Sequence, residues 1–191
     1  MKLLAFLKDK LGLVFNDPDD FPTPIGEQVF EKGAVITDYG QVERKIYFID
    51  KGLVQLTVLH DGEERIVEFF SEHSFVSSYS SFIKQEPSDC RITTLTSCET
   101  EVIRHSDLQK AYETSLLANK IGRIFTEQIY MVKGKREKDF LSKSAVERYE
   151  ELVATRPDII RLVPVNKIAK YLGLHPESLS RIRRSGFPNI G

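Results

Sequence analysis

Lys167, His175, Glu177, Ser178, Arg181, Arg183 and Arg184 crowd into one short segment near the end of the chain. These side chains have the chemistry to meet double-stranded DNA. A guanidinium can donate two parallel hydrogen bonds to guanine O6 and N7, and a carboxylate can accept from the amino group of cytosine. Arg181 is the expected guanine reader and Glu177 the acceptor for cytosine. Ser178, Arg183, Arg184 and Lys167 suit phosphate oxygens, which fix register without carrying sequence information.

Such side chains work only when a scaffold aims them. Ile168, Ala169 and Leu172 form the inner face of a first short helix, with Ala169 small enough for a second helix to cross closely. Gly173 falls where the chain must turn sharply, a place suited to positive φ. Leu174 plugs the turn, His175 leads out of it, and Pro176 suits the first turn of the next helix. Leu179 and Ile182 pack inward, so Ser178, Arg181 and Arg184 are expected to share the outward face. The pattern predicts a helix-turn-helix over residues 165–184. A helical pair that merely packs, or binds protein, is the plainer alternative.

Charge is distributed to match. The chain has 191 residues and a net charge of −1, yet from residue 140 onward it has nine lysines and arginines against five acidic residues. The preceding part is correspondingly acidic, and this distribution tells more than the sum. With 41% hydrophobic and 29% charged residues, the composition is that of a soluble globular protein. No apolar run approaches the ~20 residues of a membrane span. The first ten residues form a short amphipathic helix rather than a signal peptide, and a cytoplasmic location with no membrane partner is expected.

Residues near 25–105 contain short strands joined by tight turns. Lys45–Asp50 leads through Lys51-Gly52 into Leu53–Leu59, where apolar and polar residues alternate as in a half-buried strand. Asp61-Gly62 is a hairpin dipeptide, and Arg65–Phe70 returns as the partner strand. Ile92–Thr96 and Thr100–Ile103 are two more strands, so a sandwich or roll is expected. Ser106 then caps a predicted helix start. Leu117, Ile121, Ile124, Gln128 and Met131 recur at heptad-like spacing. That seam either packs on the strand domain or pairs with a twin helix in a homodimer, and Phe125, Ile129 and Val132 widen the stripe enough for both. Lys133–Lys138, with an internal glycine, suits a hinge or simply a solvated helix surface. Ser144 and Glu147 have capping-box spacing, and Arg156-Pro157-Asp158 ends the helix they start.

With these segments in view, the chain resembles the bacterial Crp/Fnr superfamily, the cyclic-AMP receptor protein and its relatives, over nearly its whole length. Tyr47–Val54 looks like the family's strand–Lys-Gly–strand signature, Phe75-Val76 like the lead-in to its ligand-binding helix, and Ile168–Ile182 like its helix-turn-helix. The resemblance implies an α+β fold: a double-stranded β-roll sensor of jelly-roll, cyclic-nucleotide-binding type at 1–105, a dimerisation helix and hinge at 106–138, and a DNA-binding domain at 139–191. It implies a homodimer on double-stranded DNA, with RNA polymerase as a further partner, and it matches the family's recognition-helix Glu and Arg to Glu177 and Arg181.

Departures from the family are informative. Cyclic-AMP binders carry Gly-Glu and, some residues on, Arg-Ser. Here Ser77-Ser78 and Ser88-Asp89 stand in those places. The phosphate-pairing arginine is missing and an aspartate lies beside its position, so cyclic AMP is not expected to bind in the usual way. Arg91 is the nearest substitute, although it falls on or near a strand. Cys90 and Cys98 are too few for an iron–sulfur cluster and make a disulfide framework unexpected. His73 and Cys90 are the only haem ligands to consider, and neither is expected to serve. No metal or cofactor is expected, and no effector is identified. Residues 185–191 are all that this sequence has after the recognition helix, so the family's β-hairpin wing is expected to be missing unless the sequence is truncated.

Two other functions compete with a DNA-binding regulator. A ligand-sensing or protein-interaction module that no longer touches DNA would fit the acidic roll. An enzyme in a cupin-like roll would need clustered histidines. His60, His73, His105 and His175 have no ligand spacing, so catalysis is not expected.

Overall fold

The computed structural model describes residues 2–17 and 20–184. These divide into two compact units, one of the described residues up to 64 with 68–124, the other of residues 125–184 with 65–67.

The first unit opens with α1 (Lys2–Leu11). Eight strands follow: β1 (Gly26–Phe30), β2 (Val35–Thr37), β3 (Lys45–Lys51), β4 (Val54–His60), β5 (Glu63–Phe70), β6 (Phe75–Val76), β7 (Cys90–Thr94) and β8 (Cys98–Arg104), with α2 (Tyr79–Lys84) between β6 and β7. They form two four-stranded sheets, ordered β1-β8-β3-β6 and β2-β7-β4-β5. Pairing is antiparallel, with Tyr47 opposite Val102 in the first sheet and Leu56 opposite Ile92 in the second. The expected roll is therefore present. Alternation decides what lies between the sheets: Tyr47, Ile49, Val76, Cys98 and Val102 of one meet Val54 and Ile92 of the other. Phe48, one residue out of phase, points the opposite way. There α1 covers it, burying Leu3 and Leu7 and setting the Phe6 ring 5.2 Å from the Phe48 ring.

The turns follow the sequence closely. Asp61 and Gly62 are the two central residues of the β4–β5 hairpin, with φ of 51° and 76°. Gly52 joins β3 to β4 at φ 110°, and a Cβ there would meet the Ser97 carbonyl oxygen at 2.5 Å. No other residue type fits that approach.

Helix α3 (His105–Thr114) begins two residues earlier than a Ser106 cap predicts. Arg104 holds the cap position without a side-chain bond, and the Ser106 hydroxyl turns to the Asp107 carboxylate instead. Helix α4 (Leu116–Ser142) starts where the Ser115 hydroxyl accepts the Ala118 N–H. It runs unbroken through Lys133–Lys138. Gly134 costs helix stability but need not end a helix, and Lys135 bridges to Asp139 one turn on.

In the second unit α5 (Ala145–Thr155) starts on the expected capping box, with Ser144 and Glu147 each bonded to the other's backbone N–H. After Arg156, Pro157 begins a further short helix, α6 (Pro157–Leu162), that the sequence reading left out. Helices α7 (Val165–Leu172) and α8 (Pro176–Arg184) complete the described chain. Tyr149, Leu152, Ile159, Val163, Ile168, Ala169, Leu172 and Leu179 are all buried and form the core of this unit. The expectation that no wing follows α8 falls on residues 185–191, outside the described residues.

Candidate nucleic-acid interface

Helix α7 buries Ile168, Ala169 and Leu172 on one side. Ala169 is 0% exposed, and its methyl group leaves room for α8 to pack on α7. The chain leaves α7 through Gly173 at φ 70°. Leu174 N–H donates to Ala169 O at 2.8 Å and Gly173 N–H to Lys170 O at 3.2 Å. This is the double closure of a Schellman ending. Leu174 is half-buried, as a plug should be, and His175 is exposed. Pro176 then opens α8, anchored by Leu179 at 0% exposure.

With Leu179 inward, the opposite side of α8 is fixed. Pro176, Glu177, Ser180, Arg181 and Arg184 line one open depression. Glu177, Arg181 and Arg184 are exposed, while Arg183 and Lys167 are half-buried. Ser178 departs from expectation. It is half-buried and does not line the depression, because helical periodicity turns it toward the side of Leu179 and Ile182. Ser180 lines the depression with the two arginines instead, and counting from Leu179 rather than from Arg181 finds it.

The other expected site lies in the roll around α2. Ser78 and Ser88 are buried, and their hydroxyl oxygens lie 2.7 Å apart. Ser88 Oγ donates to Cys90 O at 2.7 Å and accepts the Cys90 N–H at 3.1 Å, and the Cys90 thiol donates to Ser78 Oγ at 3.2 Å. Ser77 Oγ donates to Lys45 O at 3.0 Å. Asp89, expected as a buried carboxylate beside the phosphate position, is exposed, a correction with a simple cause. Ser88 and Cys90 both point inward, so the residue between them points out.

Arg91 lies opposite Thr57 in the β4–β7 ladder. Its Nε meets Asp38 Oδ1 at 2.6 Å and its Nη1 meets Glu64 Oε1 at 3.1 Å. The guanidinium also stands 4.9 Å above the Tyr39 ring. The bond from Arg91, helped by the Tyr39 N–H, holds the Asp38 carboxyl below its ordinary range. A guanidinium between two carboxylates has little left to offer a third anion.

A buried carboxylate that sequence reasoning missed lies close to α2. Glu43 is 4% exposed and accepts the Arg44 and Lys45 N–H groups at 2.9 and 3.0 Å and the Thr37 hydroxyl. Its own N–H donates to Ser81 Oγ at 2.9 Å. Burial, with the nearby charge of Glu43 as a lesser cause, pushes the Tyr47 phenol well above its ordinary range. Only the tertiary fold brings these groups together, so no local spacing announces them.

Along α4, Ile121 is buried, Leu117 and Ile124 are half-buried, and Gln128 and Met131 are exposed. Both cysteines are buried and free. Among the described residues no group of three or more His, Cys, Asp or Glu side chains is placed to hold a metal ion, and no helix is long and apolar enough to cross a membrane.

Residues 27–115 match the family model of the cyclic nucleotide-binding domain. None of the curated proteins matches the chain. Solved structures do. FixK2 from Bradyrhizobium japonicum is 18% identical, with a TM-score of 0.71 over 84% of this chain and 83% of that one. A transcriptional regulator of the Crp/Fnr family from Eubacterium rectale is 14% identical, with a TM-score of 0.71 over 94% and 86%. CLP, a c-di-GMP-responsive global regulator of Xanthomonas campestris, is 16% identical, with a TM-score of 0.65 over 87% and 88%. The chain thus shares its fold with these solved structures, and residues 27–115 within it resemble the cyclic nucleotide-binding domain.

Proposed function

We propose that this chain is a Crp/Fnr-type transcription regulator that binds DNA as a homodimer, reads sequence with α8, and is not controlled by cyclic AMP in the usual manner. The observation that carries the reading is the outward side of α8, where Glu177, Ser180, Arg181 and Arg184 line one open depression on a helix anchored from behind by Leu179. A helix so presented fits the major groove. Arg181 pairs with guanine, Glu177 accepts from cytosine, and Arg184, Arg183 and Lys167 meet phosphates. Support for the dimer comes from α4, where Met131 and Val132 are 69% and 62% exposed in the single chain. Two copies would read half-sites about one helical turn, ~34 Å, apart.

The test is binding of a selected duplex and a scrambled one across salt concentrations. Arg181→Ala loses about 1–3 kcal/mol of discrimination. If the variant prefers the same sequence undiminished, Arg181 is not the reader.

The reading on cyclic AMP is supported by the roll. Ser78 and Ser88 bond each other, and Arg91 is engaged by Asp38 and Glu64. Calorimetric titration with cyclic AMP is expected to show no saturable heat, and a micromolar Kd would overturn this part.

A further inference from the structure

The last turn of α7 has four carbonyls that no continuing helix can satisfy. Backbone closes two of them, Ala169 O through Leu174 N–H and Lys170 O through Gly173 N–H. The other two accept from arginines of other helices. Arg136 of α4 donates from Nη2 to Tyr171 O at 3.4 Å. Arg148 of α5 donates from Nη2 to Leu172 O at 3.1 Å, and from Nη1 to Lys143 O at 2.7 Å. Each guanidinium also lies on a ring: Arg136 is 4.1 Å from the Tyr171 centroid and Arg148 is 4.4 Å from the Phe140 centroid. Phe140 underlies the turn itself, since a Cβ on Gly173 would come within 2.9 Å of its Cζ. Two positive charges thus sit at the negative end of the α7 dipole, and planar groups fix their direction.

We propose that Arg136 and Arg148 are positioning residues for DNA recognition: from α4 and α5 they grip the carbonyl end of α7, fix the Gly173 turn, and so set the angle at which α8 meets a duplex. The proposal rests on the DNA reading given above. It adds residues outside the α8 face and ties the reading helix to the end of α4. A lysine cannot replace either arginine, because an ammonium lacks the planar fork that stacks on a ring while donating sideways.

The test uses the full chain, with the duplex selected by the wild-type protein from a random pool and a scrambled duplex as probes. Arg136→Lys and Arg148→Lys each keep the charge and remove the fork, and Tyr171→Leu removes one stacking ring. The ratio of affinities for the two duplexes is expected to fall about tenfold in both lysine variants. Binding to the scrambled duplex stays as it was, and so does the slope of log affinity against log salt. A structural cap alone would lower the melting temperature and leave the ratio unchanged, which would overturn the proposal. A slope reduced by about 0.9 would make the arginine a phosphate contact and would also overturn it. If Arg148→Lys does not fold, Arg136→Lys and Tyr171→Leu decide the matter. A wild-type chain that selects no sequence overturns the DNA reading and this proposal together. Selectivity that survives Arg136→Lys in a selective protein overturns this proposal alone.

Discussion

The two candidate sites use similar chemistry in opposite ways. Around α2 the serines bond each other and the Cys90 backbone, and Arg91 is spent on two carboxylates. On α8 the polar side chains face outward around an open depression. A ligand entering the first place must break bonds the protein already makes, leaving buried groups unsatisfied at roughly 1–3 kcal/mol each. A duplex reaching α8 displaces only water and its own counterions. Residue type alone does not make a site; what each side chain already holds decides whether it is available.

Substitutions can break or sharpen this contrast. The largest effect belongs to the glycines. Gly52→Ala drives a Cβ against the Ser97 carbonyl and Cys98 Sγ at strained φ, and is expected to cost about 3 kcal/mol or more. Gly173→Ala is also strained in φ, but its neighbour is the tip of the Phe140 ring, which can swing. About 1–2 kcal/mol is expected. Urea unfolding of both variants checks the order, and a costlier Gly173→Ala would show the helix pair to be the more rigid region.

Ser88→Ala comes next. It leaves the Cys90 N–H without its acceptor and is expected to cost roughly 1 kcal/mol of roll stability with no change in DNA discrimination. Altered discrimination would mean that the roll's serines speak to α8.

The smallest effect is one of pH. Lys135 and Lys143 bond Asp139 at 2.6 and 2.8 Å and pull its carboxyl down to about 2. Because the folded value is depressed, the stabilisation is complete above the ordinary aspartate value of ~4 and fades as pH falls toward 2. The melting temperature of Asp139→Asn therefore lies slightly below wild type at neutral pH, and the gap closes across that acidic window. A gap that persists at pH 2 would place the effect in packing rather than charge.

Local chemistry was legible in the sequence. Asp61-Gly62, the Ser144–Glu147 box, Gly173 and the Leu179 anchor each depend on neighbours a few residues away, and each is where spacing put it. Alternation and turn spacing pointed to a sandwich or roll, and the family resemblance chose the roll. What was misread involved competition between local signals. Ser106 is a good cap residue, yet the helix starts at His105. Gly134 weakens α4 without ending it, and α6, only six residues long, is too short for the spacing of Ile159, Ile160 and Leu162 to announce a helix. What was invisible is long-range. Glu43 bonding Ser81, or Arg136 on Tyr171, joins residues 38 and 35 positions apart, and no spacing rule reaches that far.

The first helix has a bearing on how the roll can be isolated. Glu101 in β8 is 4% exposed, and its two carboxylate oxygens accept the Lys2 and Leu3 N–H groups at 3.0 and 2.5 Å. The opening amides of α1 thus satisfy a carboxyl group embedded in the sheet. A fragment cut to residues 27–115 would strand that carboxylate without these donors beneath an uncovered Phe48, a loss of roughly 1–3 kcal/mol for a buried acceptor left unsatisfied. A stable excised roll must therefore carry its leading helix along.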